Sequence, residues 1–189
     1  GAIVAIEPST GEILALVSSP SYDPSTLVGR SRGKNYAALN RNPYKPLYDR
    51  AIMAAYPPGS TFKPTQGLTF LQEGVITPHT MYPCYHGFVS GRLRVGCHAH
   101  GSPLSLMPAI STSCNAYFCY GLKSMVDSRS KYKSTAEAFD TWKDYMVSMG
   151  YGYRLGVDLP SESRGFIPNS NYYSKIYGEK RWRALTIIS

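Results

Sequence analysis

At 189 residues, with 43% hydrophobic and 17% charged side chains, the chain has enough apolar material to bury a core, which excludes wholesale disorder. The net charge of +8 raises an anionic partner, but the cations are spread from Arg30 to Arg183 with no run of five and no nucleic-acid motif. A generally basic exterior is expected, with no nucleic acid as partner, and no apolar run reaches the ~18 to 20 residues of a membrane helix.

Gly1 opens directly onto "AIVAIEP" and the chain stops in the apolar "RALTIIS". Both ends are expected to be cuts in a longer protein, so the lack of an anchor carries no information about the whole. "GAIVAIEPSTGEILALVSS" predicts two strands joined at Pro8-Ser9-Thr10-Gly11. Residues 20–48, rich in Pro, Ser, Gly, Asn and Tyr, read as a long loop, and 49–56 as a short helix ended by Pro57-Pro58-Gly59. A helix from Ser60 or Thr61 to Gly74 would bury Phe62, Leu68 and Leu71. "GFVSGRLRV" predicts a hairpin turning at Ser90-Gly91, and Ser102-Pro103 a helix start. "SPLSLMPAI" and "AYFCYGLKSM" read as helices broken at "STSCN". The Ser134-x-x-Glu137 box opens a further helix with the stripe Phe139, Trp142, Met146 and Met149, closed by Gly150.

Ser60-x-x-Lys63 is a weak pattern alone, since serine caps helices and lysine decorates their faces. Three features point to chemistry. Positions i and i+3 are neighbours on a helix, so the hydroxyl and amine can share a hydrogen bond. The "PPG" entry sets the hydroxyl at a helix mouth, where N–H groups and the dipole favour an oxyanion. Apolar neighbours such as Phe62 could desolvate Lys63 and lower its pKa toward that of a usable base. "STSCNAYF" supplies Ser113-x-Asn115, the second motif of serine acyl-transferases with a lysine base. Ser113 could pass a proton to a leaving amine, and Asn115 could hold Lys63 and the substrate backbone. Glu73, Asp158 and Glu162 have no spacing that makes an acid pair and read as turn or surface residues.

The blocks "AIEPSTGEILALVSSPSYDP", "YPPGSTFKP", "HGSPLSLMPAISTSCNAYF" and "MGYGYRLGVDLPSESRGFIP" together resemble the transpeptidase domain of class B penicillin-binding proteins, most closely of the elongation type. The resemblance implies an α/β (α+β) fold of the penicillin-recognising kind, helices packed on an antiparallel sheet with its C-terminal strands missing. It implies a D,D-transpeptidase that cross-links peptidoglycan stem peptides and is acylated by β-lactams. In its terms Ser60 is the nucleophile, Lys63 the base, Ser113 the relay and Asn115 the anchor, while Thr61 and Tyr117 flank the motifs and would line the cleft. It further implies an inner-membrane protein with this domain on the periplasmic side, partnered by a membrane glycan polymerase. No Lys-[Ser/Thr]-Gly, the third motif of that family, occurs, so residues 1–189 are expected to be a partial, catalytically incomplete domain. A serine β-lactamase, a D,D-carboxypeptidase or a β-lactam sensor would share the serine and lysine.

The four cysteines stand at 84, 97, 114 and 119. A turn at Ser90-Gly91 would set Cys84 directly opposite Cys97, within reach of a disulfide or a shared metal. With His100 and Cys114 they would form a closed Cys3His zinc site within a hairpin excursion at 82–101. His98 or His86 could replace His100, and a Cys84–Cys97 disulfide is the alternative. Related elongation-type members are thought to hold a metal near this loop. Cys119 is expected as a buried free thiol.

Overall fold

The computed structural model describes residues 1–179 and 182–188, which divide into two units, 1–56 with 153–165 and 57–152 with the described residues from 166 onward. In the first, β1 (Ala2–Ile6) and β2 (Ile13–Ser18) pair antiparallel, Ala2 opposite Ser18 and Ala5 opposite Ala15. The connecting turn closes where the Gly11 N–H donates to the Glu7 carbonyl at 2.8 Å, with Gly11 at φ +80°. The expected long loop holds more order than its composition implied. A 3-10 turn at Pro24–Leu27 is capped by Asp23, and α1 spans Arg32–Arg41. No residue of α1 is buried, so it has no apolar stripe to announce it. Asn35 anchors it by donating to the Thr26 carbonyl at 2.7 Å.

The helix expected over 49–56 is a single turn, in which the Met53 N–H donates to the Asp49 carbonyl. Arg50 holds the segment by donating to the carbonyls of Tyr44, Lys45 and Tyr48. Glu162 accepts from the N–H groups of Leu155 and Gly156, a structural role as expected.

The second unit is built on helices. After a 3-10 turn at Gly59–Phe62, α2 runs over Lys63–Gln72. Its buried positions include Lys63, Gly67 and Phe70, whereas Leu68 is 61% exposed. Phe62 and Leu71 are half-buried against the core, as the periodicity predicts, whereas Leu68 faces solvent and Lys63 joins the inward face. α3 (Leu106–Ser111) and α4 (Asn115–Val126) follow, and α4 buries Tyr117, Phe118, Leu122 and Met125. A Cβ on Gly121 would lie 2.5 Å from the Phe70 ring, so α2 and α4 approach closely only because that position is glycine.

Ser102-Pro103 does not start a helix. Its peptide is cis, Ser102 Oγ accepts the Cys84 N–H at 2.8 Å, and Leu104 pairs with Tyr82 in a bridge. These bonds keep the chain extended until Ser105, behind which α3 begins. The hairpin of β3 (Gly87–Ser90) and β4 (Leu93–Gly96) turns at Gly91-Arg92, with Ser90 opposite Leu93. The pairing is therefore offset from the expected one: Cys97 faces His86, to whose carbonyl its N–H donates, and not Cys84.

Helix α5 (Thr135–Ser148) is capped by Ser134, which accepts from the Glu137 N–H, while Glu137 reaches back to the Lys133 N–H. Phe139, Trp142 and Met146 are buried, Met149 is 39% exposed, and Gly150 follows at φ +95°. Two shorter helices, α6 (Ser170–Tyr177) and α7 (Ala184–Ile188), complete the unit. Asp140 fixes the start of α6 by accepting from the Ser170 N–H and hydroxyl. Glu73, read from sequence as a turn or surface acid, is buried at the end of α2. It accepts from Lys131 at 2.5 Å, from Tyr145 at 2.7 Å and from the Tyr132 hydroxyl. None of the described helices is long and apolar enough to cross a membrane.

Candidate active site

Pro57-Pro58 and Gly59, at φ +60°, deliver Ser60 to the exposed mouth of the α2 region. One turn on, Lys63 is buried, and its Nζ lies 3.0 Å from Ser60 Oγ, 2.8 Å from Ser113 Oγ, 2.7 Å from the Ser113 carbonyl and 2.7 Å from Asn115 Oδ1. Ser113 Oγ is also 2.8 Å from Ser60 Oγ. The two hydroxyls and the amine thus form a closed triangle in which a proton has a path between every pair of corners.

Ser113 reaches this place through an uncommon backbone. It sits at φ +53° between α3 and α4, a left-handed conformation that costs a non-glycine residue of order 1 kcal/mol or more. That twist turns both its carbonyl and its hydroxyl onto Lys63. Asn115, the first residue of α4, donates from Nδ2 to the Gly96 carbonyl at 2.8 Å, which directs Oδ1 toward the lysine. Gly96 went unnoticed in the sequence, where a backbone acceptor leaves no signal.

Burial holds the Lys63 amine below the ordinary lysine value, with the thiols of Cys97, Cys114 and Cys119 acting in the opposite direction. Phe118, whose ring centre is 5.9 Å from Nζ, and a cavity of about 250 Å³ shared with Cys119 and Leu122 form its apolar side. Phe62, the neighbour expected from sequence, packs instead on Tyr151 at 5.2 Å. Thr61 is exposed beside the nucleophile and donates to the Pro58 carbonyl. Tyr117 does not line the cleft: it is fully buried, and its hydroxyl donates to the Thr80 carbonyl at 3.1 Å. It lies on the inward face of α4, which the motif alone could not distinguish from the outward one.

Against this group lies a second cluster. The ligand atoms of Cys84, Cys97, His100 and Cys114 all fall within 4.8 Å of one another. His100 directs Nε2 to 3.2 Å from Cys97 Sγ, while its Nδ1 lies 2.7 Å from the Gly101 carbonyl. His98 is turned to the Thr112 carbonyl and His86 is exposed, so His100 is the histidine of this cluster. All four cysteines are free thiols. Burial works to raise the Cys97 thiol, but the Asn115 N–H and His100 outweigh it and bring it down to about 7. Cys119 lies outside the cluster, half-buried, and burial pushes it up to about 11. The three thiols and one imidazole could hold a metal ion, and the Asn115 N–H on Cys97 Sγ at 3.4 Å joins the cluster to the Ser113-Asn115 motif.

An exposed serine, a desolvated lysine and a second serine bonded to both are the groups that acyl transfer of the serine–lysine class requires. The penicillin-binding protein transpeptidase domain matches residues 1–185, and the chain belongs to that family. The peptidoglycan D,D-transpeptidase MrdA of Acinetobacter baumannii is 37% identical over 99% of this chain, which covers 27% of that protein. The chain therefore spans about a quarter of the length of this relative. Helicobacter pylori penicillin-binding protein 2, solved in complex with MreC, superposes over 100% of this chain and 33% of its own with a TM-score of 0.83 at 28% identity. Penicillin-binding protein A from M. tuberculosis, solved as an imipenem acyl-enzyme, aligns over 66% of this chain and 31% of its own at 36% identity and a TM-score of 0.60.

Proposed function

We propose that the protein carrying this chain is a peptidoglycan D,D-transpeptidase of the elongation type. The observation that carries this reading is the placement of Lys63 Nζ within hydrogen-bond distance of both Ser60 Oγ and Ser113 Oγ. Neutral Lys63 takes the Ser60 proton as the alkoxide attacks the penultimate D-Ala carbonyl of a stem peptide. The C–N bond then breaks, Ser113 delivers its proton to the departing D-Ala amine and regains one from Lys63, which is neutral again, and an acyl-enzyme remains on Ser60. The amine of a neighbouring stem peptide attacks that ester, the C–O bond breaks, and the proton the amine loses passes through Lys63 to the Ser60 oxygen, closing the cross-link. β-Lactams enter the same first step and remain attached.

The sequence lacks a Lys-[Ser/Thr]-Gly strand, which in this family supplies an oxyanion donor and substrate carboxylate contacts. Losing one oxyanion donor costs roughly 10²- to 10³-fold in rate, so residues 1–189 alone are expected to acylate slowly. The whole protein would act at the periplasmic face of the inner membrane beside a glycan polymerase.

The Cys84, Cys97, His100 and Cys114 set fits zinc. Tetrahedral thiolate ligands at a Zn–S distance of about 2.3 Å lie about 3.8 Å apart, a spacing that small side-chain shifts from this cluster would reach. With four protein ligands the ion would have no open position and would supply structure, tying the 82–101 hairpin to Ser113 and Asn115. The lifetime of the penicillin adduct on the full-length enzyme tests the activity. Persistence for hours supports a transpeptidase, whereas turnover within seconds would assign a β-lactamase or carboxypeptidase.

A further inference from the structure

We infer that the thiol cluster beside Asn115 is an oxidation site for hydroperoxides, with Cys97 the sulfur attacked and a Cys84–Cys97 disulfide the product. The inference rests on the zinc reading above and adds a second state to it. Its basis is the unequal exposure of the sulfurs and what each one holds.

Cys84 and Cys114 are 6% and 1% exposed, whereas Cys97 is only partly covered at the end of β4, so an oxidant meets Cys97 first. Cys114 is committed elsewhere: its Sγ caps α4, accepting the Tyr117 N–H at 3.4 Å. Cys84 precedes β3 and Cys97 follows β4, so these two flank one hairpin, and their sulfurs already lie within 4.8 Å of each other.

The reaction balances without a further reagent. The Cys97 thiolate attacks one peroxide oxygen, the O–O bond breaks, and Cys97 becomes a sulfenic acid as hydroxide leaves. The Cys84 thiolate then attacks that sulfur, the S–O bond breaks, the disulfide forms, and a second hydroxide leaves. Two thiolates each lose one electron, the peroxide gains both, and two protons from solvent complete two waters. A disulfide brings the sulfurs to about 2.05 Å, which no tetrahedral zinc site tolerates, so the ion is released.

The consequence reaches the nucleophile through two contacts. The Asn115 N–H rests on Cys97 Sγ, and Asn115 Oδ1 accepts from Lys63. Moving Cys97 sulfur toward Cys84 withdraws the first contact and displaces the neighbouring Gly96 carbonyl that orients the Asn115 amide.

The test uses full-length enzyme whose zinc content is first fixed by native mass spectrometry. Hydrogen peroxide is then added while zinc release is followed with a chromophoric chelator, disulfides are mapped by mass, and penicillin acylation is timed. One zinc released per chain, a Cys84–Cys97 disulfide and acylation slowed at least tenfold are expected, all reversed by a dithiol with added zinc. A Cys97→Asp variant, each sample compared with itself before peroxide, should lose no acylation; Cys119→Ser should respond as the parent does. Zinc present but retained, or released with acylation unchanged, overturns this inference alone. No zinc at the outset overturns the metal reading with it.

Discussion

Lys63 is buried, and its hydrogen-bond partners among the described residues are all uncharged oxygens. Burial disfavours the ammonium, so the neutral base forms at lower pH than for an exposed lysine. Acylation of the full-length enzyme by penicillin should therefore rise with pH and level off at an inflection below 10.5; an inflection at or above 10.5 would contradict the assignment. Lys63→Arg keeps a cation but removes any usable base, since guanidinium stays protonated, and should slow acylation about 10²- to 10⁴-fold. Ser113 offers a sharper separation of chemistry from folding. Ser113→Gly deletes the hydroxyl while giving φ +53° to the residue that favours it, so stability to denaturant should stay within about 1 kcal/mol while acylation falls. A matched loss of both would mean that Ser113 only shapes the loop.

At the scale of elements, the hub on Glu73 joins the end of α2 to α5 and the loop before it. Burial works to raise this carboxyl, but hydrogen bonds from Lys131, Tyr132 and Tyr145 outweigh it and hold it below the usual carboxylate value. Because the folded value is depressed, its stabilisation is present above the unfolded value of about 4.5 and is lost as pH falls through the folded one. Glu73→Ala should cost about 2 to 3 kcal/mol in denaturant unfolding at neutral pH, with the difference from the parent shrinking in acid. Gly121→Ala should cost about 1 to 3 kcal/mol, because its methyl would meet the Phe70 ring between two packed helices.

Elements with local signals were legible: the Ser134 cap, the first hairpin and the break at "STSCN" all follow from adjacent residues. The rest depended on distant partners. Helix α1 carries no buried face, Glu73 finds its acceptor role through residues 58 to 72 positions away, and Leu68 stays exposed although the α2 periodicity sets it on the stripe with Phe62 and Leu71.

For the whole molecule, the four catalytic candidates were identifiable because Ser60-x-x-Lys63 and Ser113-x-Asn115 occur within matching flanking blocks, and Ser60, Ser113 and Asn115 converge on the Lys63 amine. The metal candidates were named correctly as a cluster although the register that suggested them is offset, since Ser102 and the Tyr82–Leu104 bridge, not a Cys84–Cys97 strand pair, set Cys84 in place. Removing a metal from this cluster with a chelator should lower the melting temperature of the full-length enzyme and slow acylation together. The most direct test of the central claim is a mass-mapped penicillin adduct on that enzyme. One intact penicillin mass added to the peptide carrying Ser60, abolished in Ser60→Ala, is the predicted result. No adduct, or an adduct that maps elsewhere and survives Ser60→Ala, would contradict the account.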